Sequence, residues 1–139
     1  MENRKIFTDT SAFYALMDRS DKHHKESAAR WTSLLERNQS LLTTNYIVLE
    51  TNALLQNRLG FDAASIWHRD ILDIFEVQWI NYTLHELAFE LWFNMGQRGL
   101  SLVDCASFVT MRQHHCDQAF CFDRHFVQQG FDVLTINEF

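Results

Sequence analysis

The sequence predicts one three-layer α/β/α domain, in which helices cover both faces of a five-stranded parallel sheet. Short runs rich in β-branched and aromatic residues alternate with longer runs of helical periodicity, which is the pattern of such a sheet. The 139 residues fit one domain by length, and the 47% hydrophobic content is enough for a buried core. The chain has no proline, and no repeat or linker-like stretch divides it.

The strand predictions are short and follow the β-forming residues. Five runs are predicted strands, in chain order Ile6–Thr8, Ser40–Thr43, Phe75–Ile80, Gln118–Phe122 and Asp132–Ile136. The last of these is expected at an edge of the sheet.

Apolar residues at helical spacing predict the connecting helices. These cover residues 11–17, 21–37, 45–59, 62–72, 83–97, 101–113 and 124–129. Expected N-caps are Ser20 or Asp21, Thr44 or Asn45, Asp62 and Ser101, and Gly60 and Gly130 are expected to end helices.

Net charge, cysteine content and hydropathy argue against several classes of protein. The net charge of −6 provides no overall attraction for phosphate, so binding to nucleic acid would need local basic groups or bridging cations. Three cysteines indicate a reducing compartment without a disulfide framework. No apolar run reaches the roughly 20 residues that span a bilayer. The first residues do not follow the order of a signal peptide, so we expect a cytoplasmic protein without membrane contact.

Two acids directly follow predicted strands. Asp9 ends the first strand and Asp123 follows the fourth. The carboxyl ends of parallel strands meet at one edge of a sheet, and ligands bind at that edge. Each acid would also fit as an N-cap of the helix that follows it.

Two further acids lie on helices beside apolar neighbours. Glu50 shares a helical face with Tyr46, Ala53 and Leu54, so we expect it on the face toward the sheet, where a carboxylate needs a partner. A structural ion pair or a rim position would also account for Glu50. Asp104 has buried-type neighbours at i+4 and i+7, but it also completes a capping box with Ser101.

Together the four acids predict a metal site. Carboxylates that converge in one cleft repel one another, and hard divalent cations such as Mg²⁺ or Mn²⁺ neutralise such clusters. Two such ions about 4 Å apart activate water and stabilise the leaving oxygen in phosphodiester hydrolysis.

Four segments in this order resemble the PIN-domain nucleases, and in size and layout the VapC-type toxins. They are FTDTSAFYAL with Asp9 and Ser11, TTNYIVLETNALL with Glu50, LSLVDCASFVTM with Asp104, and FCFDRHFVQQGF with Asp123. One position departs from the pattern, because many relatives carry Ser or Thr where this chain has Cys121.

The resemblance implies strand order 3-2-1-4-5, which places Asp9 beside Asp123. It also implies a Mg²⁺- or Mn²⁺-dependent endoribonuclease, often acting on structured RNA such as tRNA, with Ser11 orienting the first acid or a bound water. Members of the family commonly form homodimers, and VapC-type members bind an antitoxin peptide that blocks the acidic cleft.

Five side chains are candidate RNA contacts. They are Lys22, Lys25, Arg98, Arg124 and His125. The two lysines would equally fit a solvated helix face, and Arg124 and His125 would equally fit a salt bridge.

Three other functions stay open at this point. One is a non-catalytic PIN-like module that binds protein or RNA, and another is a phosphohydrolase with Asp9 as its nucleophile. The third is a zinc site, although the spacing of its candidate ligands fits no usual structural zinc pattern. Those ligands are His114, His115, Cys116, Cys121 and His125.

Overall fold

The computed structural model describes residues 4–135 and contains one parallel sheet in the order β3-β2-β1-β4-β5. The strands are β1 (Ile6–Thr8), β2 (Leu41–Thr44), β3 (Glu76–Gln78), β4 (Gln118–Phe120) and β5 (Asp132–Val133). The predicted order is confirmed. Residue 136, the predicted end of the fifth strand, lies outside the described residues.

Seven α-helices connect and cover these strands in residues 4–135. They are α1 (Thr10–Met17), α2 (His24–Glu36), α3 (Asn45–Leu59), α4 (Phe61–Ile66), α5 (Tyr82–Met95), α6 (Leu102–Gln113) and α7 (His125–Gln128). A π-helical turn (Trp67–Ile71) and a 3₁₀ turn (Leu72–Ile74) join α4 to β3.

The central strands are buried on both faces, as the three-layer prediction requires. Every residue of β1 and β2 is buried, and because neighbouring strand residues point to opposite faces, both faces must be covered. Aromatic rings pack in the core between the sheet and the helices. Phe13 packs edge-on against Trp67, and Phe108 packs edge-on against Phe126.

Two predicted helix starts are wrong, for local reasons. The second helix begins at His24, because Asp21 accepts a hydrogen bond from the His23 backbone N–H and caps a turn that precedes the helix. The fourth begins at Phe61 with Gly60 as its N-cap, so Asp62 lies in the first turn.

Other predicted boundaries are close to those observed. The caps at Thr44 and Ser101 and the helix end at Gly60 are confirmed. Within residues 4–135, no helix combines the length and the apolar character that crossing a bilayer requires.

Candidate active site

Asp9 is buried at the carboxyl end of the central strand. It is 4% exposed and caps α1, where its Oδ2 accepts hydrogen bonds from the Ser11 backbone N–H (3.2 Å) and from Ser11 Oγ (2.7 Å). Ser11 Oγ in turn accepts a hydrogen bond from the Phe122 backbone N–H at 2.9 Å. Ser11 therefore joins the ends of β1 and β4 and fixes the orientation of the Asp9 carboxyl group.

Burial raises the pKa of Asp9 to about 7, from an ordinary value of 3.8. The hydrogen bond from Ser11 opposes this rise, while the negative charges of Asp104 and Asp123 add to it. All three carboxylates line one cleft, where like charges repel one another. The N-cap and the convergence of acids, which the sequence left as alternatives, are both present at Asp9.

Asp104 also combines a cap with a position in the cluster. Its backbone N–H donates to Ser101 Oγ (3.0 Å), and its Oδ2 accepts from the Ser101 backbone N–H (3.2 Å), so the predicted capping box is confirmed. The side chain is half-buried. Burial and the charge of Asp123 raise the pKa of Asp104.

Asp123 follows β4, beside Asp9. The two strand ends are joined by a hydrogen bond from the Asp9 backbone N–H to Phe120 O at 3.1 Å. Asp123 Oδ1 accepts a hydrogen bond from the backbone N–H of His125 (2.9 Å) and lies 2.7 Å from His125 Nδ1. The predicted RNA contact His125 therefore lies against the last acid.

Glu50 reaches the same cleft from α3, but its surroundings differ from those expected. It is exposed, and the buried face of α3 is formed by Ile47, Thr51 and Leu55. The expectation that Glu50 faces the sheet is therefore wrong, and the rim position is the one observed.

An open cleft of about 710 Å³ brings the four acids together. We call it the acidic cleft, and it is lined by Asp9, Thr10, Ser11, Glu50, Ala53, Leu54, Asn57, Asp104 and Asp123. Asn57 was not predicted, although it lies two helical turns after Glu50 on the same face. Asp104, Asp123 and His125 each offer one ligand atom, and these atoms lie within 4.8 Å of one another.

The remaining predicted RNA contacts lie outside the lining of the acidic cleft. Lys22 and Lys25 are exposed near the start of α2, which is positioned near the cleft because the His23 ring stacks on Phe122, with centroids 4.3 Å apart. Arg124 is exposed beside Asp123, and Arg98 is exposed in the turn before α6.

Cys121 is buried within the sheet edge. Its Sγ lies 3.7 Å from the carbonyl oxygen of Asp123. Burial raises the pKa of this thiol, which favours the neutral form over a metal-binding thiolate. His125 contacts Asp123, and among residues 4–135 the cysteines join no metal-binding cluster.

These features, a 3-2-1-4-5 parallel sheet with acids at its carboxyl edge, define a class of protein. The family model described as PIN domain matches residues 6–132, and the chain belongs to that family.

Among curated proteins, the chain is similar to the 23S rRNA-specific endonuclease VapC20 of Mycobacterium tuberculosis. The two are 32% identical over 127 residues, which cover 91% of this chain and 95% of the relative. The crystal structure of VapC20, described as a Sarcin-Ricin loop cleaving toxin, matches with a TM-score of 0.83 and 30% identity, over 94% of this chain and 98% of that one.

More distant structures share the fold. FitAcB from Neisseria gonorrhoeae matches with a TM-score of 0.67 at 16% identity, over 92% of this chain and 95% of that one. VapBC2 from Rickettsia felis, solved with a DNA fragment from its promoter, also gives 0.67, at 9% identity over 93% of this chain and 96% of that one.

Proposed function

We propose that this protein is a divalent-metal-dependent endoribonuclease of the VapC type, with Asp9, Glu50, Asp104 and Asp123 as its catalytic acids. The observation that carries the proposal is the acidic cleft. Four carboxylates line it, and in residues 4–135 no Lys or Arg forms an ion pair with any of them. The basic partner that the structure gives them is the His125 imidazole beside Asp123. A cluster of acids without Lys or Arg partners is costly unless a cation binds there.

The donor atoms fit Mg²⁺ or Mn²⁺, since carboxylate oxygens are the ligands these ions prefer. A bound ion would supply a water of lowered pKa and would stabilise charge on the leaving oxygen. Asp104 and Asp123 are positioned to hold an ion directly, because their oxygens lie within 4.8 Å of each other and of His125.

The protein's own residues orient these groups. Ser11 holds the Asp9 carboxyl group through two hydrogen bonds, and the capping box fixes Asp104 on the first turn of α6. Glu50, which is exposed, closes the cleft from the α3 side and is placed to act on the ion through water.

The RNA backbone must approach an acidic surface. Lys22, Lys25 and Arg124 are exposed on elements next to the β4 end, so we assign them to phosphates on either side of the cut bond. Arg98 is assigned a more remote contact.

We propose a structured RNA as the substrate. The 32% identity to VapC20 favours a ribosomal RNA loop, and a tRNA remains the second candidate, as the family resemblance implies. Because hydrolysis here uses water, no covalent intermediate is expected.

The proposed partners are an antitoxin and a second copy of the chain, in the cytoplasm. Exposed rings on one region offer an apolar surface for association. Tyr82, Phe89 and Phe93 line one groove on α5, and Tyr82 is 80% exposed. The exposed Trp79 lies in the segment before α5. Light scattering of the purified chain tests the homodimer, and co-expression with the neighbouring open reading frame tests the antitoxin.

The proposal is tested by incubating a Sarcin-Ricin loop RNA and a tRNA pool with the parent protein, Asp9→Asn and the surface control Asp70→Asn. Each is assayed with Mg²⁺, Mn²⁺ or EDTA. We expect cutting by the parent and the control with metal, and a loss of about 100-fold or more in Asp9→Asn. Cutting that persists in EDTA, or in Asp9→Asn, would overturn the proposal. Metal and RNA binding without cutting of either RNA would favour a non-catalytic binding module.

A further inference from the structure

A nitrogen donor lies beside two of the carboxylates that line the acidic cleft. Asp104 comes from α6, whereas Asp123 and His125 come from the segment after β4, and one ligand atom of each falls within 4.8 Å of the others. The sequence-based expectation was a contact from His125 to RNA. The structure instead places its imidazole against Asp123, with a ligand atom of Asp104 within 4.8 Å.

The imidazole ring of His125 is largely covered and lies close to Asp123 and Gly99. His125 Nδ1 lies 2.7 Å from Asp123 Oδ1, and the His125 side chain is 22% exposed. Gly99 also lies nearby, because a Cβ added there would be 3.8 Å from Nε2. A mostly covered ring is poorly placed to receive a phosphate, whereas the neighbouring Arg124 is exposed.

We propose that His125 is a nitrogen ligand to the ion held by Asp104 and Asp123, and that the site therefore prefers a first-row transition ion such as Mn²⁺ or Co²⁺ over Mg²⁺. The inference rests on the proposed function and specifies the ion that the function left open.

The chemistry of the donors supports this preference. Mg²⁺ takes oxygen ligands and keeps much of its water, whereas first-row transition ions also accept an imidazole nitrogen, Co²⁺ more strongly than Mn²⁺. Two neighbouring ligands on an octahedral ion with bonds of about 2.1 Å are about 3 Å apart. The Nδ1 to Oδ1 separation of 2.7 Å is therefore close to what a shared ion needs.

A competing role for His125 is to orient Asp123 by donating a hydrogen bond. The two roles differ in their effect on ion selectivity. Loss of an orienting group weakens the binding of every ion by a similar factor, whereas loss of a nitrogen ligand weakens transition ions selectively.

The variant His125→Asn separates the two roles. An asparagine Nδ2 can occupy the place of the histidine Nδ1 and still donate to Asp123. The control is His68→Asn, the same change at an exposed position on the turn after α4. Binding of Mg²⁺ and Mn²⁺ is measured from the rise in melting temperature with ion concentration, and pulsed EPR of bound Mn²⁺ detects a coordinated ¹⁴N.

We expect the parent to bind Mn²⁺ more tightly than Mg²⁺ and to show ¹⁴N coupling. In His125→Asn the coupling should be lost and Mn²⁺ binding should fall about tenfold or more, with less than about a threefold change for Mg²⁺. The control should behave as the parent.

Two results would overturn the inference alone, provided that RNA is still cut with metal. One is a parent without ¹⁴N coupling. The other is a His125→Asn variant that binds both ions as the parent does, as an orienting role retained by asparagine predicts, or that loses both equally. If neither ion changes the melting of the parent, the inference fails together with the proposed function.

Discussion

Acidic side chains at the amino ends of the strands and those at the carboxyl ends have opposite electrostatic surroundings. We call these two ends of the sheet the amino edge and the carboxyl edge. At the amino edge, Lys5 Nζ lies 2.9 Å from Glu76 Oε1, and Arg4 Nη1 lies 2.9 Å from Asp117 Oδ2. At the carboxyl edge, Asp9 and Asp104 accept hydrogen bonds from serines and backbone, and no Lys or Arg in residues 4–135 forms an ion pair with them.

The ionised acids at the amino edge have little effect on the stability of the fold, whereas the ionised acids at the carboxyl edge lower it. The pairs at the amino edge are half-buried to exposed, so each contributes little to stability. At the carboxyl edge, burial raises the pKa of Asp9 and Asp104, so ionisation of these groups opposes folding. A ligand that carries positive charge would account for such an arrangement.

The largest expected contrast is in catalysis. Glu50→Gln, in the acidic cleft, should lower metal-dependent RNA cleavage by about 10- to 100-fold, because it removes a charge that acts on the ion. Glu76→Gln, at the amino edge, should stay within about twofold of the parent, since its charge is far from the chemistry. Single-turnover cleavage of one RNA by both variants checks this. Equal losses would show that the edges do not differ in function.

The pH dependence of stability should also separate the edges. The folded-state pKa of Asp9, about 7, lies above its ordinary 3.8, so its protonated form favours folding and this contribution is lost as pH rises from about 4 to 7. In EDTA, the melting temperature of Asp9→Asn relative to the parent should therefore increase by several degrees from pH 5 to pH 8, since about 1 kcal/mol corresponds to roughly 3 °C. A relative melting temperature that stays constant would show that Asp9 titrates normally.

Substitution of Ser11 should lower the free energy of unfolding. Ser11→Ala leaves the Phe122 N–H without its acceptor and removes the hydroxyl donor from Asp9. We expect about 1–3 kcal/mol lower stability in urea. Ser11→Thr keeps the hydroxyl, so its loss of stability should be less than half that of Ser11→Ala. If both variants lose the same amount, the loss is due to packing and not to the hydrogen bonds.

The smallest effect should come from the basic start of α2. Lys22→Ala and Lys25→Ala should each weaken RNA binding severalfold and lower the salt dependence by about one unit of slope, without changing the rate at saturating RNA. Arg69→Ala, at an exposed position after α4, is the control. A salt slope unchanged in both lysine variants would remove them from the interface.

Local sequence patterns were enough to predict several features. Asp9 directly after β1 and the Ser101–Asp104 capping box depend on a few adjacent residues, and the structure has both where they were expected. The fourth strand is shorter than predicted, because β4 ends at Phe120, three residues before Asp123. The strand order followed from the family resemblance.

Features that depend on tertiary contacts were harder to predict. Apolar residues occur on more than one side of α3, so their number led to the wrong prediction that the face with Glu50 is buried. The buried face instead contains Thr51, whose hydroxyl donates a hydrogen bond to Thr10 Oγ1. Similarly, the contact from His125 to Asp123 depends on the conformation of the turn after β4, which the residue types alone do not determine.

We propose that the acids of the carboxyl edge repel one another until a divalent ion binds. The most direct test is thermal melting of the parent, Asp9→Asn and Asp104→Asn at pH 8, in EDTA and in Mn²⁺. We expect both variants to melt at a higher temperature than the parent in EDTA. Mn²⁺ should raise the melting temperature of the parent more than that of either variant. If both variants melt well below the parent in EDTA and Mn²⁺ shifts none of the three, the acids are helix caps and the account of the site is wrong.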